Sequence, residues 1–449
     1  MSLHSKITQT AILTFALWFV RLFHENMTFE NNTAEHVWLW ILKPVVLAVL
    51  GVVYIFTHLR SFKDATRIQC IIFTYTASAL FCIPYVPDMF ASFNKAGEPN
   101  ALLLSIAFYL LGIITYGTIR GGTFFVSHKF LHTKVKSSLF QSIVIYPVLL
   151  TVEFCFFHSW HPITYFPSMP LPLPAARLET KSDEKNVKYL LIESYIDGKM
   201  RQDIKSGSAL SLNILGKKIA AQIEQQSTAT VFGQTLHVLL PETFVAIEDP
   251  TDILSLVAPV ADTVFRFEGV DKLIWIQGAF LNNSNVILGT ELQRPEQTNS
   301  PSTETLPAVT LLRKKADQMP MFEVASKGIS YSNEEHAFPT MNSIVPDEQS
   351  ALKDFAQTHQ LLICYESLFP TRWRHGVPAI VFTNHHLFTE FKLMNWVYFG
   401  FLRHLAFLFN SETKVVSNFN PSGVLAGRSF NNDSAHESWS VLKLSFTKD

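Results

Sequence analysis

Two short apolar runs in the second half of the chain stop abruptly at reactive side chains. Residues 236–240 end at Pro241-Glu242, and Leu361-Leu362-Ile363 ends at Cys364. A short apolar run without polar alternation is the pattern of a strand covered on both faces, which requires packed layers on either side of a sheet. Further runs at 188–193, 272–278, 378–383, 414–419 and 439–446 alternate with helical patterns over about 208–225, 251–264 and 391–409. This order predicts an α/β domain. Sheets of that class place their chemistry where strands end. A carboxylate and a thiol at such ends are candidates for a base and a nucleophile. Two polar stretches, 290–307 and 325–356, read as loops bordering these pieces.

The first 160 residues read differently. The chain is 48% hydrophobic and only 16% charged, against about 25% charged for an ordinary globular chain. The apolar excess is concentrated in five runs, roughly 8–24, 37–57, 69–87, 101–119 and 140–158. Each is close to the ~20 residues that a helix needs to cross a bilayer core. Segments 58–68 and 120–139 carry Arg60, Lys63, Arg67, Arg120, Lys129, Lys134 and Lys136, whereas 25–36 has no basic residue and 88–100 only Lys95. Positive charge marks the cytoplasmic side. The expectation is a multi-pass α-helical membrane domain over 1–160, with a cytoplasmic N-terminus and everything after it outside. In a bacterium this is an inner-membrane protein with a periplasmic second half. Arg21 and Lys43 fall inside two of these runs, where snorkelling to the headgroups is the simplest role. Five prolines between Pro162 and Pro174 mark a semi-rigid linker, 161–186, before an outer domain over 187–449.

Net charge is −1, which gives no reason to expect a nucleic-acid partner. Of the four cysteines, Cys70, Cys82 and Cys155 lie in apolar runs and Cys364 is alone in the second half; no spacing suggests a disulfide framework or a metal site. No cofactor is implied. A lone strand-end cysteine is usually inert, and it becomes a nucleophile only where a base or positive charge favours the thiolate. Glu242 is a candidate base, although a glutamate after a strand also serves as a helix cap. Lys315, in the triplet Arg313-Lys314-Lys315, would supply positive charge, although such triplets are usually solvated surface.

Taken together, Glu242, Lys315 and Cys364 resemble the Glu-Lys-Cys signature of the nitrilase, or carbon–nitrogen hydrolase, superfamily. Within it the chain resembles the membrane-bound apolipoprotein N-acyltransferases and the TraB-type conjugal transfer proteins. Leu-Leu-Pro-Glu-Thr over 239–243 is similar to the glutamate motif, and Ile-Cys-Tyr-Glu-Ser-Leu-Phe-Pro over 363–370 to the cysteine motif. Lys315, Pro320 and Glu323 fit the spacing of the lysine motif. Asn384, Arg403 and the segment Asn418–Gly423 align with further family positions. The resemblance spans roughly 187–449. It implies an α-β-β-α sandwich, a catalytic triad of Glu242, Lys315 and Cys364, and auxiliary roles for Glu323, Tyr365 and Glu366. The implied activity transfers an acyl chain from phospholipid to an amine, such as a lipoprotein N-terminus, through a thioester on Cys364.

The chain departs from the pattern at His385-His386-Leu387-Phe388-Thr389, which replaces an aromatic-rich loop, and at Ala406, which stands where the family has a glutamate. These departures favour a TraB-type relative with conjugation-system partners. They leave two alternatives to acyl transfer: an amidohydrolase, in which water resolves the thioester, and a non-catalytic binding module.

Overall fold

The computed structural model describes residues 66–83, 85–95, 99–131, 178–179, 186–196, 209–226, 231–281, 284–295, 308–315, 351–384, 393–419, 421–425 and 438–444, with isolated positions elsewhere. The chain divides into two compact units. One comprises Met1–Ala175 with Leu368–Thr371 and Leu387–His404; the other comprises Ala176–Ser367, Arg372–His386 and Leu405–Asp449.

Within Met1–Ala175 of the first unit the described helices include α1 (Arg67–Cys82), α2 (Tyr85–Lys95) and α3 (Ala101–Leu131). Thr66 caps α1, accepting a hydrogen bond from the Gln69 amide while the Gln69 side chain takes the Thr66 amide. Tyr75 of α1 meets α3 through a 2.8 Å hydrogen bond to Thr118, and Gly117 leaves room for its ring. Among the described residues the expected five-helix membrane domain is not found. Among the described residues one helix segment, Ala101–Ile119, is long and apolar enough to cross a membrane. The run at 69–87 does not form a straight span: Ile68–Leu80 and Tyr85–Asn94 are bent by 53°, at a point where the sequence carries Pro84. Hydropathy registers the apolar content of such a run but not its break. Residues 120–131, expected to be loop, continue α3. The expected spans at 8–24, 37–57 and 140–158, and most of the linker, lie almost wholly outside the described residues.

Among the described residues the dominant element is instead a mixed sheet of eleven strands. Its strands are β1 (Leu178–Glu179), β2 (Asn186–Ser194), β3 (Val231–Ile247), β4 (Lys272–Leu281), β5 (Ser284–Gln293), β6 (Val309–Lys314), β7 (Gln360–Ile363), β8 (Ala379–Asn384), β9 (Thr413–Asn418), β10 (Gly423–Leu425) and β11 (Trp439–Leu444). One half runs β11-β2-β3-β4-β5-β6 and the other β7-β8-β9-β10-β1. Among the described residues the halves join through one register pair, Ser194 with Asn418. β11, β2, β3 and β4 are mutually parallel, as are β7, β8 and β9. β1 falls inside the stretch expected to be linker.

Side-chain alternation sorts the core into two layers. Val238, Leu240, Leu273 and Trp275 pack with residues of α4 (Ala209–Gln226) and α5 (Ile253–Val264) on one face of the first half. Tyr189, Leu239, Ile274, Ile276 and Ile287 pack on the opposite face against Leu361, Ile363, Ile380, Phe382 and Val416 of the second half. The two half-sheets therefore share an inner core. Leu352 and Phe355, from α6 (Ala351–Thr358), close one side of it. Leu362, Val381 and Val415 alternate with the inner residues and are also wholly buried, so β7–β9 are covered on both faces, as their unbroken apolar sequences require. A further helix, α7 (Leu393–Leu408), precedes β9. α5 starts at a capped turn: Asp249 accepts from Thr251, and these bonds hold its carboxyl below the usual carboxylate range.

Candidate active site

The strand directions bring Glu242, Lys315 and Cys364 to one edge of the structure. β6 is antiparallel to β5, which is antiparallel to β4, so β6 ends at the same edge as β2, β3 and β4. The parallel pairing of β2 with β9, and of β9 with β8 and β7, carries that edge into the second half.

Glu242 is placed by a bulge rather than by the end of its strand. Leu240 pairs with Gln277 and Val245 with Ala279, so residues 241–244 arch over the single residue Gly278. The arch presses on β4: a Cβ on Gly278 would lie 2.5 Å from both the Glu242 Cα and the Pro241 oxygen. β3 thus continues to Ile247, past the expected end at residue 240.

Lys315 follows β6 immediately, and its amide donates to the Asn285 carbonyl at 2.9 Å. A second bulge sets its direction. Ile287 pairs with Arg313 and Leu288 with Leu311, leaving Leu312 as the extra residue. Ile287 faces the inner core, so Arg313 opposite it faces inward, and Lys315 two residues on does the same. The Lys315 ammonium donates to the Glu242 carboxylate at 2.9 Å, with side-chain exposures of only 4% and 5%. Asn285 donates to the same oxygen at 2.7 Å. Two charges so far from water are tolerable only when paired and hydrogen-bonded.

Cys364 directly follows β7 at φ +43°, a left-handed conformation that a cysteine seldom adopts, and opens a 3-10 turn over Cys364–Leu368. Its side chain is partly buried against the inner core. The turn is tied at three points. Ser367 donates to the Cys364 carbonyl at 2.6 Å, and the Trp373 indole to the Ser367 carbonyl at 2.8 Å. The wholly buried Glu366 accepts from the Ile363 amide and from Arg313, each at 3.2 Å. Arg313 and Lys315, alternate residues of one strand end, thus grip the cysteine turn and the glutamate respectively.

Of the auxiliary residues, Glu366 orients the cysteine turn, Tyr365 is buried beside it, and Glu323 lies outside the described residues. Asn384 and Asn418 meet: the Asn418 amide donates to the Asn384 oxygen at 2.9 Å and to the Ile196 carbonyl, and accepts from the Ile196 amide and Ser194. Among the described residues this cluster locks the place where the half-sheets join. Glu193, buried beside it, accepts from the Ser422 amide and the Tyr195 hydroxyl. Burial, followed by the bond to Glu193 and its charge, pushes the Tyr195 phenol well above the usual tyrosine range. Arg403 and Ala406 are buried on α7, and residues 385–389 lie outside the described residues. Sequence reasoning missed Asn285, Gly278 and the role of Arg313. The last was legible once 309–314 is read as a strand, since Arg313 and Lys315 are then on one face. Among the described residues no three His, Cys, Asp or Glu side chains are arranged to hold a metal ion.

Comparison of the chain with known protein families and with characterised proteins found no match.

Proposed function

We propose that the chain is a cysteine acyltransferase of the nitrilase type, which takes an acyl group from an ester donor onto Cys364 and passes it to an amine. What carries this proposal is the buried Glu242–Lys315 pair at 2.9 Å, set at the same sheet edge as a cysteine held at positive φ. Glu242 takes the Cys364 proton, and the thiolate attacks the donor carbonyl. Lys315 steadies the oxyanion that forms. Collapse of this intermediate breaks the ester C–O bond, and the leaving alkoxide takes the proton from Glu242. The amine then attacks the thioester, Glu242 accepts its proton, and the thiol is restored as the sulfur leaves.

A phospholipid donor is favoured by α3. Its 19-residue apolar segment has mean hydropathy 2.0 and is 12% buried. Leu102, Leu103, Leu110 and Ile114 are exposed on it, a surface that suits lipid chains.

The test is mass spectrometry of the protein after incubation with phospholipid. An acyl adduct on the Cys364 peptide, removed by hydroxylamine and absent from Cys364→Ala, is the expected result. No adduct on protein whose Cys364 still reacts with iodoacetamide would overturn the lipid donor. Transfer of the adduct to an added amine, rather than to water, separates acyl transfer from amide hydrolysis.

A further inference from the structure

We propose that Arg313 is a positioning residue for the cysteine turn, resting on the reading of Cys364 as the nucleophile. Its guanidinium links the two halves of the site. The Nη2 atom donates at 3.2 Å to Glu366 Oε2, the same oxygen that accepts the Ile363 amide at 3.2 Å. That amide belongs to the last residue of β7, directly before Cys364. Because Glu366 is wholly buried, its carboxylate is stable there only if a cation accompanies it. Arg313 supplies that cation from the strand end that also delivers Lys315 to Glu242.

Simple stabilisation does not account for this arrangement. The Arg313 side chain is 29% exposed, yet its Nε is buried and has no hydrogen-bond partner among the described residues. Arg–carboxylate pairs are frequently bidentate, with two parallel N–H groups on the carboxylate. Here one N–H reaches the carboxylate and another is left unused. The Leu312 bulge is also required to turn Arg313 inward. Register, bulge and ion pair together set the height of the Cys364 turn against the Glu242–Lys315 pair. A shift of that turn changes how strongly the Lys315 charge favours the Cys364 thiolate.

The experiment measures the rate of Cys364 alkylation by iodoacetamide across pH in the full chain, read on the Cys364 peptide so that Cys70, Cys82 and Cys155 do not contribute. Alkylation follows the thiolate and needs no substrate. Arg313→Met is expected to lower the rate at neutral pH by about tenfold, equivalent to one unit of thiol pKa, and to move the profile to higher pH. Arg313→Lys is expected to restore part of the loss. Should Arg313→Met fail to fold, Arg313→Met with Glu366→Gln leaves no buried charge unpaired and carries the same expectation. A profile in the folded variant that superimposes on that of the unchanged protein would overturn the role of Arg313 and leave the catalytic reading standing. If Cys364 in the unchanged protein reacts no faster at neutral pH than in the denatured chain, the catalytic reading falls and the role of Arg313 with it.

Discussion

Replacing Gly278 with alanine should disable the site without touching a reactive side chain. The added Cβ would lie 2.5 Å from the Glu242 Cα, 2.5 Å from the Pro241 oxygen and 3.0 Å from the Glu242 nitrogen. Carbon atoms sit comfortably at about 3.5 Å or more, so backbone must move by roughly 1 Å. β4 has little room to yield: it is laddered to β3 on one side and β5 on the other, and Ala279 beside Gly278 is wholly buried. The arch at 241–244 moves instead and carries Glu242 away from Lys315 and Asn285, now at 2.9 and 2.7 Å. A displacement of about 1 Å in a catalytic group costs on the order of 100-fold in rate, and overpacking of this kind costs about 1–3 kcal/mol in stability. The assays are Cys364 acylation and urea unfolding. Gly233→Ala is the control, because its Cβ would meet nothing closer than 3.7 Å; it should leave both measurements near their original values. A Gly278→Ala protein with unchanged acylation would refute the claim that the arch places Glu242.

Lys315→Met strips the buried Glu242 of its cation; urea unfolding should show a loss of about 3–5 kcal/mol, and adding Glu242→Gln should recover much of the stability but none of the acylation. Asn418→Ala removes hydrogen bonds to Ser194, Ile196 and Asn384 where the half-sheets join, and should lower stability by about 2–4 kcal/mol, measured in the same way. The Tyr195 phenol ionises later in the folded chain than in the unfolded one. Its contribution to stability is therefore complete below the ordinary tyrosine pKa of about 10 and is lost as pH rises beyond it. Spectrophotometric titration of Tyr195→Phe should lack one tyrosine that ionises above the ordinary range.

The apolar runs that announce β2, β4, β7, β8 and β9 are buried on both faces, and burial of that kind leaves a clear mark in the sequence. The β5–β6 pair is harder to read. Every residue of β6 from Val309 to Arg313 is only partly buried, so the segment has neither a continuous apolar run nor clean alternation and reads as a basic surface triplet. α6 buries only Leu352 and Phe355, too narrow a stripe to stand out within a polar stretch. In the first unit composition is an incomplete guide for a different reason. An apolar run of the right length is compatible with a straight span and with two helices meeting at a 53° bend, and only the backbone decides between them. The residue types of the site were legible; their geometry was not, because it depends on register. Nothing in Val309–Lys315 as a string says that Leu312 is skipped in the pairing.

That dependence has a physical logic. A regular strand sends side chains to alternate faces, and moving a residue to the other face requires one position to drop out of the pairing. Leu311 packs toward the helix-covered layer and Leu312 toward the inner one. Continued regularly, β6 would direct Arg313 and Lys315 toward the helices, away from Glu366 and Glu242. Skipping Leu312 reverses the phase. Glu242 likewise owes its position to an arch rather than to the pleat, and Cys364 to a residue in the left-handed region. Each of the three side chains is thus delivered by a departure from regular strand geometry. Such departures weaken a sheet locally and persist where the surrounding structure over-determines them. Here the over-determination is visible: Gly278 beneath the arch, Ile287 opposite Arg313, and the Glu366 and Ser367 bonds around Cys364. Three independent irregularities converging on one edge are hard to attribute to packing, because packing alone would favour straight strands through the same apolar core.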